Sequence, residues 1–327
     1  MVRYLILFVL IIVTSYNQFG FSEGKLRVGF YNKSCPKAEP IIRDIVRKAT
    51  LSDENSAPSL LRLHFHDCFV QGCDGSILIN NGSETDERRS FGHQGVRGFD
   101  VIEKAKAELE NVCPGIVSCA DIVALAARDA VFLAKGPFYE AETGRRDGNV
   151  SNVRLADNMP DVADSIQKLK AKFLEKGLSH KDLVLLSSAH TIGTSACFFM
   201  TQRLYNFPAF GGADPSIRPD FLPELKSTCP KEGDVNARLA LDRGSEKTFD
   251  IRILENVRSG FAVLQSDASL YQDLATRIVV DSYFGLLSPY LGPSFEADFA
   301  GSMVKMGRIG VLTRSKGSIR RVCSSFG

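Results

Sequence analysis

Eight cysteines, Cys35, Cys68, Cys73, Cys113, Cys119, Cys197, Cys229 and Cys323, limit the folds open to this chain more than any other feature. Their compartment is set by residues 1–22. Arg3 precedes an apolar run over residues 4–13, and the chain turns polar and small near Ser22. That is the pattern of a secretory signal peptide, because the apolar core is short for a membrane span and no stop-transfer segment follows. The mature chain is then expected as a single domain over residues 25–327. Secretion exposes thiols to an oxidising environment, so all eight cysteines should be paired. Spacing leaves their connectivity open, although the short gap from Cys68 to Cys73 suggests a local bridge and Cys323 one that ties the C-terminal end to the body. Zinc is disfavoured, since no four cysteines show paired C-x-x-C spacing.

The 327 residues suffice for a substantial core, and a formal charge of +2 gives no field that would favour nucleic acid. Asn32, Asn81 and Asn149 open glycosylation sequons in loop-like surroundings. Apolar residues recur with helical period over residues 38–50 and 100–109. Residues 60–66 continue as a helix that Gly72 and Gly75 break into a loop. Residues 118–132 read as a buried helix carrying Asp121, for which Arg145 and Arg146 are candidate partners. Asp161 is a candidate N-cap for a helix running to Phe173, and residues 181–190 form a second apolar helix ending on His190. Residues 207–230, with five prolines, read as a long excursion clipped by Cys197 and Cys229. Residues 249–263 fit helix or strand, while residues 270–284 and 295–306 read as amphipathic helices. The fold class is therefore all-α.

Chemistry concentrates in residues 62–76, R-L-H-F-H-D-C-F-V-Q-G-C-D-G-S. Arg62 and His66 stand one turn apart on a helix face, with Phe65 beside them. Asp67, Asp74 and Ser76 follow as hard oxygen ligands. His64 points elsewhere and reads as structural. His190 is either a core histidine satisfied by a carbonyl or, given the other groups, an axial ligand. One axial imidazole with a separate acid/base and an arginine is what haem-iron peroxide chemistry requires. A serine hydrolase is the rival, but no G-x-S-x-G elbow is present.

These residues fall within motifs that resemble those of secreted plant (class III) haem peroxidases. They are V-G-F-Y-x-x-S-C-P at 28–36, residues 62–76, V-R-G-F-D-V-I-E at 96–103, C-P-G-x-V-S-C-A-D at 113–121, G-R-R-D-G at 144–148, A-H-T-I-G at 189–193 and Q-S-D at 265–267. The resemblance implies two helical subdomains sandwiching one haem b, and hydrogen-peroxide-dependent one-electron oxidation of phenolic donors through a ferryl haem intermediate. It makes His190 the proximal iron ligand with Asp267 as its carboxylate partner, His66 the distal acid/base, Arg62 its charge-stabilising partner, and Phe65 a limit on access. Two Ca2+ sites follow: a distal one from Asp67, Val70, Gly72, Asp74 and Ser76 with Glu87 linked to it, and a proximal one from Thr191, Asp242, Ser245, Thr248 and Asp250. The implied disulfides are Cys35–Cys113, Cys68–Cys73, Cys119–Cys323 and Cys197–Cys229. Asp121 pairs with Arg145 on the same ground.

Departures from the family pattern are informative. His93 stands where an asparagine usually accepts the distal histidine's ring proton, and it brings an imidazole that ordinarily titrates near about pH 6.5. Pro160 is retained as the residue lining donor access, but Asp161 follows it and is expected to disfavour acidic phenols. Ser245 replaces a threonine. The chain has no tryptophan. The resemblance implies a secreted monomer of the cell wall or extracellular space, in contact with wall polysaccharide and acting in phenolic polymerisation and peroxide removal. A secreted haem-binding or wall-binding protein with weak turnover is the alternative.

Overall fold

A computed structural model describes residues 25–208, 211–285 and 292–326. The expected signal peptide lies outside them. Twelve helices are described, together with one two-stranded antiparallel sheet. The first four are α1 (Ala38–Ser52), α2 (Ser56–Phe69), α3 (Phe99–Val112) and α4 (Cys119–Leu133). Helix α4 is the hub, packing against both α1 and α2. Its residues are buried from Cys119 to Val131, as its nearly uninterrupted apolar sequence requires. Ser118 caps it by accepting the Asp121 N–H. On α1 the buried positions are Ala38, Ile42, Ile45 and Val46, the inward stripe of an amphipathic helix.

The second group comprises α5 (Ile166–Glu175), α6 (His180–Ser187), α7 (Thr201–Tyr205), α8 (Leu222–Thr228), α9 (Arg252–Ser259), α10 (Gln265–Gln272), α11 (Leu274–Ser282) and α12 (Phe295–Met306). Here α6 is central, with α5, α11 and α12 around it. A capping box starts it: Ser179 Oγ accepts the Asp182 N–H, and the Asp182 carboxylate accepts the Ser179 N–H. The strands β1 (Thr194–Ala196) and β2 (Arg238–Ala240) pair with Ala196 opposite Arg238.

Several elements differ from the sequence expectation for local reasons. Asp161 does not cap α5. Its Oδ1 accepts the Ala163 N–H in a tight turn, and Ser165 supplies the cap instead. Helix α6 ends at Ser187, and His190 lies in the 3-10 turn Ser188–Thr191 that follows. Asp273 accepts the N–H groups of Ala275 and Thr276, which ends α10 and starts α11 where one helix was expected. Residues 222–228 form α8 within the proline-rich excursion, with Pro223 in its first turn, where its missing N–H costs nothing. Residues 252–259 resolve as helix.

Four disulfides join Cys35 to Cys113, Cys68 to Cys73, Cys119 to Cys323 and Cys197 to Cys229. Asp121 is fully buried and takes Arg145 Nη1 at 2.8 Å, the Tyr31 hydroxyl at 2.7 Å and the Gly144 N–H at 2.6 Å. Arg145 is thus the partner, and removing it would strand a buried charge at a cost of about 3–5 kcal/mol.

Candidate active site

Helix α2 sets Arg62 and His66 on one face. Arg62 Nε donates to His66 Nε2 at 3.1 Å, and its Nη2 donates to the Gln94 carbonyl at 3.1 Å. On the other side of the ring, His66 Nδ1 lies 2.8 Å from His93 Nδ1. A guanidinium has only protons to offer, so His66 Nε2 is the acceptor and its ring proton sits on Nδ1. His93 must then accept at Nδ1 and carry its own proton on Nε2. That nitrogen points at Glu87 Oε1, 3.6 Å away. The hydrogen-bond direction therefore runs one way from Arg62 through His66 to His93, and the side chains of His93 and Glu87 are fully buried at its end. Burial, followed by the Arg62 charge and then the neighbouring His93, holds His66 well below the usual imidazole range. Phe65 meets the His66 ring edge-on at 5.4 Å.

His93 belongs to the 3-10 turn Phe91–His93. A Cβ on Gly92 would lie 3.7 Å from the Ala156 carbonyl and 3.8 Å from Met159 Cβ, so this turn rests against the segment leading to Pro160. Lys172 braces that segment, donating to the Met159 carbonyl at 2.6 Å and to Asp164 Oδ2 at 2.6 Å.

His190 faces different company. Its Nδ1 is 3.0 Å from both oxygens of Asp267, a buried residue in the first turn of α10. Burial alone would lower this histidine, but the Asp267 charge and hydrogen bond outweigh it and the net shift is upward. The side chain lies deep in the fold yet keeps 37% of its surface accessible. With Nδ1 committed to Asp267, the Nε2 lone pair is free to bind a metal. Gly193, three residues past His190, packs against Pro58 in the first turn of the helix that carries Arg62, so the two residues stand on contacting elements, and the Arg62 charge reaches His190 as the last of the influences on it.

Two oxygen-rich loops follow the two histidines. Beside His66, both Asp67 oxygens and Ser76 Oγ are buried with no hydrogen-bond partner, as are both Glu87 oxygens. Burial, then Asp74 and Glu87, raises Asp67 well above the carboxylate range. A hard cation would relieve all of these penalties. Gly148 is required here, because a Cβ would fall 2.1 Å from Asp74 Oδ2. The carbonyls of Val70 and Gly72 already accept from Lys176 Nζ at 2.7 Å and from the Asp74 N–H at 2.8 Å, each keeping a second lone pair. Beside His190, Asp242 Oδ2 accepts from Thr191 Oγ1 at 3.1 Å and from Ser245 Oγ at 2.8 Å. Ser245 Oγ also lies 3.1 Å from Asp250 Oδ1, and the Thr248 carbonyl lies 3.4 Å from Thr191 Oγ1. Burial pushes Asp242 up to about 6.

Lys176, Lys172 and Asn256, which donates to Asp242, escaped the sequence reading. Each meets its partner only through tertiary packing, with no spacing signal in the chain. His64 is buried against the Cys68–Cys73 bridge, with Nδ1 3.6 Å from Cys68 Sγ, and stays outside the site.

Comparison with known proteins agrees with this geometry. A family model described as Peroxidase matches residues 42–285. Peroxidase 43 of Arabidopsis thaliana is 63% identical over 308 residues, covering 94% of each chain. Peroxidase 13 of the same plant is 54% identical over 317 residues, covering 97% of each. Peroxidase N1 of Nicotiana tabacum is 49% identical over 300 residues, covering 92% of this chain and 90% of its own. With two differently partnered histidines, four disulfides and relatives that match nearly end to end, the chain belongs to the plant (class III) haem peroxidase family.

Proposed function

We propose that this chain binds one haem b between His66 and His190, with two Ca2+ in the loops that follow them, and oxidises phenolic donors with hydrogen peroxide. The observation that carries this reading is the opposed setting of the two histidines: one held neutral beside an arginine, the other held against a carboxylate with an open Nε2. His190 Nε2 fits an iron ligand, and Asp267 fixes its tautomer and lends it anionic character. The distal calcium residues are Asp67, Asp74, Ser76 and the carbonyls of Val70 and Gly72, with Glu87 beside them. Thr191, Asp242, Ser245, Thr248 and Asp250 form the proximal set.

Haem, when bound there, would supply the redox capacity for reducing peroxide by two electrons and oxidising donors by one. The chain manages protons and access. His66, neutral and with a lone pair at Nε2, takes the first proton of hydrogen peroxide there. It returns that proton to the far oxygen, which leaves as water. Arg62 turns its N–H groups from His66 to the departing oxygen and stabilises the charge that develops on it. His93 accepts the Nδ1 proton throughout, so the basic nitrogen of His66 stays at Nε2. Phe65 restricts approach over the distal side, and donors enter along Pro160. The protein is read as a secreted monomer of the cell wall, acting on wall phenolics.

Stopped-flow absorbance tests this. Haem-loaded protein mixed with equimolar hydrogen peroxide at neutral pH should lose and red-shift its ferric Soret band within a fraction of a second, and recover on addition of a phenol. A persistent ferric spectrum at full haem occupancy would overturn the assignment of His66 and Arg62.

A further inference from the structure

Arg238 opens β2, and its neighbour Leu239 turns into the core while Arg238 itself is exposed. Its guanidinium folds back along β1, with Nε donating to Thr194 Oγ1 at 2.6 Å and Nη2 to the Thr194 carbonyl at 2.7 Å. The residue before Thr194 is Gly193, and a Cβ there would fall 2.7 Å from Pro58 Cβ. Strand β1 therefore starts hard against the first turn of α2. Pro58 and Arg62 are four residues apart on α2 and share a face. Through this chain of contacts the clamped guanidinium is brought to the Arg62 side of the site. The electrostatics agree: Arg62 is pulled down to about 10, first by burial and then by the charge of Arg238.

The two arginines thus stand on contacting elements, Arg62 on α2 and Arg238 clamped to β1, and among the described residues neither is paired with a carboxylate. Arg128, Arg145 and Arg203, by contrast, each meet one, at Asp129, Asp121 and Asp214. Arg62 is half-buried and Arg238 stands exposed beside its helix, so an anion entering between them is attracted by both charges. Thr194 occupies Nε and one Nη2 proton, which leaves the Nη1 edge of a rigid fork suited to a carboxylate.

We propose that Arg238 is a carboxylate-binding residue at the contact between the helix that carries Arg62 and the strand that follows His190. Two sources have this chemistry: the haem's own carboxylate substituents, and the carboxylate of an anionic phenolic donor. The inference rests on the haem reading above.

The test uses holoprotein of wild type, Arg238→Gln and Arg238→Lys. Haem loss is followed by transfer to excess apomyoglobin, and KM is measured for ferulate and for neutral coniferyl alcohol. If the haem carboxylate is the ligand, Arg238→Gln releases haem about tenfold faster, Arg238→Lys restores part of the retention, and the ratio of the two KM values stays put. If the donor carboxylate is the ligand, haem loss is unchanged and KM rises about tenfold for ferulate alone. Thr194→Val, which removes the Oγ1 clamp and leaves the charge in place, moves the same quantity in the same direction by less, and substitutes for Arg238→Gln should that variant misfold. Haem loss and KM ratio both within about twofold of wild type, beside a normal Soret band, overturn the proposal alone. A wild-type protein that shows no Soret band on haem addition overturns the haem reading, and this proposal with it.

Discussion

His66 and His190 are both hydrogen-bonded through Nδ1, and the same ring is driven in opposite directions. On the His190 side a carboxylate sits directly on the ring, with both Asp267 oxygens 3.0 Å from Nδ1, and the imidazole is raised despite its burial. On the His66 side an imidazole is interposed. His93 takes the Nδ1 contact at 2.8 Å, and the carboxylate, Glu87, stands one ring further off. Burial, and then the cation on its other flank, drive His66 down. Burial pushes both rings down, and the carboxylate that His190 has at Nδ1 and His66 lacks reverses the direction for one of them.

Substitutions at the two ends break this contrast in order of size. His66→Ala removes the proton acceptor and should slow the bimolecular reaction with peroxide by about a thousandfold, while haem binding, read from the Soret band, persists. Asp267→Asn keeps the shape but withdraws the charge from His190. Turnover should fall by roughly 10–100-fold, and the ferric/ferrous midpoint potential should rise in a redox titration. An unchanged potential would mean that the carboxylate only orients the ring. His93→Ala leaves the His66 Nδ1 proton without its acceptor and should cost about tenfold in the peroxide rate, since a lost buried hydrogen bond is worth about 1–3 kcal/mol. His93→Asn supplies an amide oxygen in its place and should recover most of that loss.

Calcium sharpens the same contrast, because each histidine is followed by its own oxygen cluster. Atomic emission should find two calcium ions per chain, falling to one in Asp67→Asn. Chelation should lower Tm by several degrees and broaden the Soret band. A chelator-insensitive melt would show that the buried Asp67 oxygens are not metal ligands. The last effect is a slope in pH. Burial, followed by the Arg145 charge, lowers His64 to about 3. Above its unfolded value of about 6.5 both states are neutral and stability is full. As pH falls from there to about 3, the unfolded chain takes up a proton that the folded one refuses, and stability drops by up to about 1.4 kcal/mol per pH unit. Urea unfolding of His64→Gln should lose about one proton's worth of that slope.

The chain's own pattern carried much of this. Helices with a clear inward stripe, such as Ala38–Ser52, and helices bounded by an unambiguous cap could be read along the sequence. Boundaries failed where two capping residues competed. Asp161 and Ser165 both fit as α5 caps, and the choice fell to Ser165 because Asp161 spends its carboxylate on its own turn. Three-residue strands have no alternation to detect, so the β1–β2 pair was invisible. Within the site, residues 62–76 and the histidine at 190 stood out as motifs. Lys176 on the Val70 carbonyl, Lys172 under Met159 and Arg238 on Thr194 bridge 106, 13 and 44 positions, and no local spacing encodes such meetings.

The bridge from Cys119 to Cys323 also sets a timetable. Its two halves are separated by 204 residues. In a secreted chain made at about 5–20 residues per second, Cys119 would enter an oxidising lumen roughly ten to forty seconds ahead of its partner. Cys113, only six positions away, is a tempting wrong match during that wait. Its proper partner Cys35 has by then already emerged, 78 positions earlier, and can claim it first. The order in which the cysteines appear thus favours the native pairing: bridges whose members emerge close together can form early, leaving Cys119 as the thiol with the longest wait.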